Sequence, residues 1–274
     1  MPIERPIADL AAHADVFPGP HLEMVTASIL AGNTAGQLWE IAQGAAGPLL
    51  LLWDGGNNVF YLGGRPADGA ARAELRALLV GELRARSLAA GRPYFKARAL
   101  DPALDEGVAE LFEGIEHRER TFRFYGPGPL PPLPEPDLPG LRFAPIDRAL
   151  LADDTLGGIG EVREEIGAMW PSQERFVAQG FGWAALLDQR IVCWCTSEYV
   201  GPVACGCGIA TAEEFQRRGI AAATAARFRE EAARRGLTHF WECNAANTPS
   251  WRVAERLGFL LLAEERYVVG SFGT

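Results

Sequence analysis

Lysine is almost absent: Lys96 is the only one among 26 basic side chains in a chain of 274 residues. We read the arginine excess as genome composition and not as function. Positive charge is also in deficit, because 35 Asp and Glu residues leave a formal net charge of −9. A nucleic-acid partner requires many cations to neutralise phosphates, so none is expected. No apolar run approaches the roughly 18 residues of a spanning helix, so no membrane partner is expected either. The opening "MPIERPIADLAAHADVF" lacks a basic stretch followed by an apolar one, which points to the cytoplasm. Cysteines are few: five, an odd number, which suits free thiols in a reducing compartment better than a disulfide framework. His13, His21, His117 and His239 are scattered and fall in no nucleophile or metal pattern. What remains is an ordinary globular composition, 48% hydrophobic and 22% charged, in a chain long enough for two domains.

The clearest boundary is "YGPGPLPPLPEPDLPG", residues 125–140, where dense proline excludes both helix and a central strand. We therefore expect a domain at 1–124, a proline-rich semi-rigid linker at 125–140 and a second domain at 141–274. In the first, "PLLLLWDGGNNVFYLGG" predicts two strands joined at a Gly-Asn turn, and "DGAARAELRALLVGELRARSLAAG" predicts a helix with a glycine stop. Strand "PYFKARAL", helix "PALDEGVAELFEG" and strand "HRERTFRFYG" follow. The second domain reads as strand "LRFAPID", a mostly helical region over 148–179, then strands "GWAALLD", "RIVCWCTSEYV" and "VACGCGIAT". A long helix, strand "THFWECN", helix "TPSWRVAERLG" and strand "FLLLAEERYVV" complete it. This mixed order predicts an α/β fold (α+β, with a mixed and mostly antiparallel sheet). Both halves run strand, strand, helix, strand, helix, strand, which suggests a degenerate structural repeat.

The segment "EEFQRRGIAAATAARFREEAARRG", residues 213–236, reads as helix except for Gly219. The first turn of a helix carries unpaired N–H groups and the positive end of its dipole, which together make an anion site. Gly219 lets backbone amides approach a pyrophosphate with no Cβ in the way. Arg217 and Arg218 add charge at the rim, and the small residues Ala221, Ala222 and Ala223 leave the helix start uncrowded.

With "NTPSWRVAERLGF", residues 247–259, downstream, the pattern resembles the GCN5-related N-acetyltransferases. Gln216, Gly219 and Ala221 match that family's Q/R-x-x-G-x-G/A; Asn247, Ser250, Leu257, Gly258 and Phe259 match its N-x-x-S/A…L-G-F. The resemblance covers 141–269 and is narrower still to bacterial two-domain members with an extra N-terminal part. It implies acetyl-CoA as co-substrate, with Ile209, Ala210 and Thr211 pairing with the pantetheine arm. It also implies that amides from Arg217, Arg218, Gly219, Ile220, Ala221 and Ala222 hold the pyrophosphate, with Asn247 and Ser250 near the thioester. The first domain becomes a degenerate acetyltransferase-like half that shapes the acceptor cleft without binding CoA, since Gly63, Gly64 and Arg65 do not complete the phosphate pattern.

Direct attack of an amine on a thioester needs a neutral amine, donors at the carbonyl and a proton for the departing thiolate. Glu242 lies where alanine acetyltransferases of this family carry their general base, and Glu198 in "TSEYV" is the second candidate. Where the family usually has the tyrosine that protonates the thiolate, this chain has Ala254. Ser250, Tyr199, Tyr267 or water are then the alternatives. Asp153, Asp154, Glu161, Glu164 and Glu165 would line one wall of the acceptor cleft and favour a cationic acceptor. No metal is expected: Cys193, Cys195, Cys205 and Cys207 could offer four sulfurs to zinc, but alternating cysteines on buried strands pack as small hydrophobes. "GGIGEV", 157–162, lacks the last glycine of a dinucleotide fingerprint. The expected function is acetyl transfer from acetyl-CoA to a primary amine, with a catalytically silent acyl-CoA sensor as the alternative and a homodimer compatible with either.

Overall fold

The computed structural model describes residues 1–44, 47–64, 69–105 and 107–273. The chain forms two compact units, one of Met1–Leu30, Ala35–Phe122 and the residues from Glu265 onward, the other of Ala31–Thr34 and Arg123–Glu264. Thus the short loop after the first long helix belongs to the second unit, and the C-terminal end of the chain returns to the first.

The first unit contains β1 (Ile3–Arg5), α1 (Pro20–Leu30), β2 (Gly36–Gly44), β3 (Gly47–Asp54) and β4 (Val59–Gly63). There follow α2 (Gly69–Ala77), α3 (Arg84–Ala89), β5 (Tyr94–Ala99), α4 (Pro102–Asp105) and β6 (Glu116–Gly126), the last of which passes into the second unit at Arg123. The single helix expected over 68–91 is interrupted by a π-helical stretch, Leu78–Leu83. The helix expected from "PALDEGVAELFEG" is reduced to α4 and a turn of 3-10 helix at Ala109–Phe112. Leu49 to Leu52 are all fully buried, which suits a central strand covered on both faces. The β3–β4 hairpin is antiparallel, and β4 then crosses through the helices to pair with β5 in parallel, Val59↔Lys96 through Leu62↔Ala99.

The second unit holds β7 (Arg142–Pro145), α5 (Arg148–Leu151), α6 (Ile159–Met169), α7 (Gln173–Gln179), β8 (Gly182–Leu187) and β9 (Arg190–Val200). It continues with β10 (Ala204–Thr211), α8 (Ile220–Arg234), β11 (Thr238–His239), β12 (Trp241–Asn244), α9 (Thr248–Arg256) and β13 (Leu260–Ser271), whose last part pairs with β5 in the first unit. Its sheet runs β11-β10-β9-β8-β7, antiparallel except for β10 and β11. Both units therefore contain an antiparallel hairpin followed by a parallel βαβ crossover, the repeat anticipated from element order. The chain is mixed α/β throughout.

Small side chains let α8 lie close on this sheet, with Ala222, Ala223, Ala225 and Ala232 buried. Phe228 of α8 stacks on Phe181 at 4.6 Å between ring centres and meets the His239 ring, tilted by 58°, at 4.8 Å. The proline-rich stretch is strapped to the second unit: Arg229 of α8 donates to the Gly128 and Leu257 carbonyls. A Cβ on Gly258, whose φ is +80°, would collide with the Pro129 carbonyl, so glycine is needed at that crossing on both counts. Asn33 donates to the Val200 carbonyl and accepts from Arg175, each within 2.8 Å, which explains why 31–34 belong with the second unit. Among the described residues no helix is long and apolar enough to cross a membrane.

His239 is fully enclosed, and burial, with the Arg229 charge second, depresses its pKa to about 3. The unfolded chain would take up this proton near pH 6.5 and the folded one only near pH 3. Stability should therefore fall as pH drops through that window, by about 1.4 kcal/mol per pH unit at most from this group. Urea unfolding of the wild type and His239→Phe at several pH values checks this. The variant should lose that part of the slope, and an unchanged slope would mean that other groups carry it.

Candidate active site

The stretch "THFWECN", expected as one strand, is two. β11 pairs with β10 only at Ala204↔Thr238 and Cys205↔His239, with a last hydrogen bond from the Phe240 amide to the Cys205 carbonyl. β12 then pairs with β6 instead. Beyond Cys205, β10 keeps β9 on one side, through Thr211↔Cys193, and among the described residues no strand covers its other edge. Ile209, Ala210 and Thr211 lie on this opened stretch, half-buried. In the first unit the equivalent pair, β4 and β5, stays in register over four residues and does not part. Gly63 and Gly64 close β4 there; Arg65 lies outside the described residues.

After β10 the chain makes a 3-10 turn at Glu213–Phe215 and then leaves helical geometry, contrary to the helix expected through 213–236. Gln216 is extended, Arg217 is left-handed with φ +60°, and Gly219 is left-handed with φ +81° immediately before Ile220. A Cβ at Gly219 would meet no protein atom within 4 Å. What the fold requires of Gly219 is thus its backbone conformation, which non-glycine residues adopt at a cost; protein atoms leave space for a side chain. No side chain caps α8, so the first-turn amides of Ile220, Ala221 and Ala222 keep the unpaired, electropositive character of a helix start. Gln216 donates to the Thr211 carbonyl at 3.2 Å, tying the loop back to the end of β10. Arg217 and Arg218 are exposed, and Arg218 lies over the Phe215 ring at 5.7 Å.

On the other side of the opening, Asn247 is the N-cap of α9, its side chain accepting from the Ser250 amide at 3.3 Å. The Ser250 hydroxyl accepts from the Trp241 indole N–H at 3.1 Å and also bonds the Cys243 thiol. Burial raises the Cys243 pKa to about 11. Glu242 sits half-buried on β12 between Trp241 and Cys243, which are buried. Ala254 is fully buried in α9. Tyr199 is buried on β9, whereas Tyr267 belongs to the first unit, where it donates to Glu265 at 3.5 Å.

Glu198 of β9 is half-buried, and it meets a second carboxylate that residue order did not single out. A Cβ built at Gly208 of β10 would stand 2.5 Å from a Glu198 oxygen and 2.8 Å from a Glu165 oxygen. Both carboxylates therefore converge over the Gly208 α-carbon, one residue before Ile209. Burial raises the Glu165 pKa above the usual carboxylate range. Of the other acidic residues expected on this wall, Asp153 caps Thr155, Asp154 pairs with Arg163, Glu164 is exposed, and Glu161, also exposed, lines a cavity of about 80 Å³ with Trp194 and Ala210. A glycine inside a strand marks a close approach, and that was the available signal for Gly208.

The five cysteines are unpaired thiols, all buried except half-buried Cys207, which lies 3.2 Å from His239 Nε2. Among the described residues no group of three or more His, Cys, Asp or Glu could hold a metal ion. Gly158, left-handed at φ +79°, serves as the N-cap of α6 in "GGIGEV". A cavity of about 490 Å³ lies in the first unit beside Lys96, Glu116, His117 and Arg118; none of the motif residues lines it.

Residues 140–268 match the family model described as GNAT acetyltransferase. The uncharacterised N-acetyltransferase YdfB of Bacillus subtilis is 30% identical over 125 residues, 46% of this chain and 46% of that protein. The chain thus spans about half the length of this curated relative. A GCN5-related N-acetyltransferase-like protein from Streptococcus suis has the same fold, with a TM-score of 0.65 at 19% identity over 95% of this chain and 98% of that one. A tandem GNAT protein from the clavulanic acid biosynthesis pathway superposes with a TM-score of 0.56 at 14% identity, covering 100% and 99%.

Proposed function

The chain belongs to the GCN5-related N-acetyltransferase superfamily through residues 140–268, and on that premise we propose that it transfers an acetyl group from acetyl-CoA to a primary amine. The observation that carries this reading is the parting of β10 from β11 beside an uncapped helix start. An exposed strand edge offers amide partners to a pantetheine arm, and left-handed Arg217 and Gly219 turn backbone into the first turn of α8, where a pyrophosphate would be held. Ile209, Ala210 and Thr211 would carry the arm. The backbone of Arg217 to Ala222 would carry the pyrophosphate, with Gln216 bracing the loop. Asn247 and Ser250 would flank the thioester end. When bound, acetyl-CoA supplies an activated acetyl group with a thiolate leaving group. The protein's part is to orient it, to hold the amine and to receive the amine's proton.

For that proton, the convergence of Glu198 with Glu165 next to Ile209 favours Glu198, whereas strand position alone favours Glu242. A thiolate is a tolerable leaving group near neutral pH, so with Ala254 in the tyrosine's place its proton would come from water or from the Ser250 hydroxyl. The same alanine sustains the sensor reading. Thiol release from acetyl-CoA in a pooled amine library separates the two. Turnover is the expected result, tight calorimetric binding without turnover would mean a sensor, and absence of acetyl-CoA binding would overturn both.

A further inference from the structure

We propose that the first unit carries a ligand site of its own, on the outer face of the sheet where β5, β13 and β6 lie side by side, and that it takes a small aromatic acid: a ring bearing a carboxylate or a phosphate group. The acetyl-transfer reading gives this region no role, and the site does not depend on it.

Strand register fixes the face. Phe95 and Ala97 of β5, with Val268 and Phe272 of β13, point into the core of the unit. Their neighbours Tyr94, Lys96, Val269 and Ser271 therefore point to the opposite side. They do so as two facing pairs, Lys96 with Val269 and Tyr94 with Ser271. β6 adds a third row. Lys96 Nζ lies 5.0 Å from the centre of the Phe122 ring, which puts Phe122 on this face and, at two-residue spacing, Arg120, Arg118 and Glu116 with it.

A cavity of about 490 Å³ stands over these rows, with Tyr94, Lys96, Glu116, Arg118, Val269 and Ser271 on its wall. That is the size of a small-molecule pocket, and every residue that lines it belongs to the first unit. The support beneath is firm. The Phe95 ring stacks on Phe112 and on Phe272, each at 4.4 Å. A Cβ at Gly270 would come within 2.6 Å of both the Phe95 ring and the Glu116 carbonyl oxygen, so glycine lets β13 seat tightly between β5 and β6.

Charge and shape choose the ligand class. Lys96, Arg118 and Arg120 face one carboxylate, Glu116, in a chain whose net charge is −9. His117 is engaged elsewhere: its Nδ1 is 2.8 Å from the Ile115 carbonyl and its ring meets Phe112. A local excess of cations in an acidic protein favours an anion. Val269 gives the site an apolar floor, and Tyr94, 75% exposed, presents a ring for stacking. An aromatic ring with an anionic group meets both demands.

Lys96 is the only lysine, which makes the test direct. Reductive methylation of the full chain with ¹³C-formaldehyde labels Lys96 and the α-amine and keeps both charges. Benzoate and phenyl phosphate, the two probes, should shift the Lys96 signal and leave the α-amine signal in place; the tighter of the two identifies the anionic group. Benzylamine, with the same ring and the opposite charge, should bind about tenfold or more weakly, and so should inorganic phosphate, which lacks the ring. In the unmodified protein, calorimetric affinity for the tighter probe should fall by about tenfold or more in Lys96→Met and in Arg118→Gln, the effect of losing one hydrogen bond to a charged group. Val269→Phe, which fills the floor without changing charge, should abolish binding. Circular dichroism reports folding of each variant, and Arg118 is exposed, so Arg118→Gln tests the site whatever becomes of Val269→Phe. If neither probe shifts the Lys96 signal at millimolar concentration, or if benzylamine binds as well as benzoate, the site is refuted. Wild-type affinity in both Lys96→Met and Arg118→Gln would place the probe elsewhere and overturn the assignment to this face. Equal binding of inorganic phosphate would overturn the aromatic part of the ligand class.

Discussion

Gly219→Val is expected to weaken acetyl-CoA binding at least tenfold, equivalent to about 1.4 kcal/mol or more. Two costs combine. Valine is β-branched and would have to hold φ near +81°, a region where such residues pay about 1–3 kcal/mol. Its side chain would also stand over the amides that meet the pyrophosphate, although no protein atom is within 4 Å of its Cβ. Gly219→Asn separates the two, because asparagine tolerates the left-handed region yet still carries a Cβ. If asparagine keeps near-native affinity, backbone conformation was the requirement. If it fails like valine while the protein remains as stable, obstruction of the ligand was. Unchanged calorimetric affinity in the valine variant would end the phosphate-loop assignment.

Glu198→Gln is expected to lower kcat by ~10²–10⁴-fold, the usual cost of removing a general base, with acetyl-CoA affinity nearly unchanged. The loss should shrink as pH rises, because more of the acceptor is then already neutral. Glu242→Gln, isosteric and on the neighbouring side of the opening, should have a smaller effect. Steady-state rates of both variants from pH 6 to about 10 decide between them, spanning the range where an alkylamine begins to lose its proton. Should Glu242→Gln alone abolish turnover, the base is the strand residue favoured by family position, and Glu198 only holds charge. If both variants turn over normally, deprotonation takes place in bulk water and the protein contributes positioning.

Much of the framework was legible because it depends on short-range patterns. Alternating strands, proline-dense punctuation and a glycine at a helix entrance are local signals, and β8, β9, β10 and α9 lie close to where those signals put them. No element was expected at α1 or β2, although Gly32 and Asn33 between "PHLEMVTASIL" and "GQLWEIAQG" are a turn signal, with Gly32 left-handed at φ +69°. The helix in "PALDEGVAELFEG" was over-read: Gly107 and the carbonyl contacts of Arg72 and Arg76 to Gly107 and Leu111 favour separate turns.

By itself the sequence determined the order of most elements from β3 onward, the repeated order of strand, strand, helix and strand, and the contiguous stretches that lead into α8 and cap α9. Within those stretches, neighbours in the chain are neighbours in space. Only the tertiary structure decided that "THFWECN" divides between two sheets, that the proline-rich stretch is strapped under Arg229, and that Glu165 meets Glu198 over Gly208. Each of these depends on groups far apart in the chain. A carboxylate on α6 and one on β9 carry no sequence signal of their meeting, and it takes the packing of helix on sheet, with a missing Cβ between them, to bring two like charges to one point.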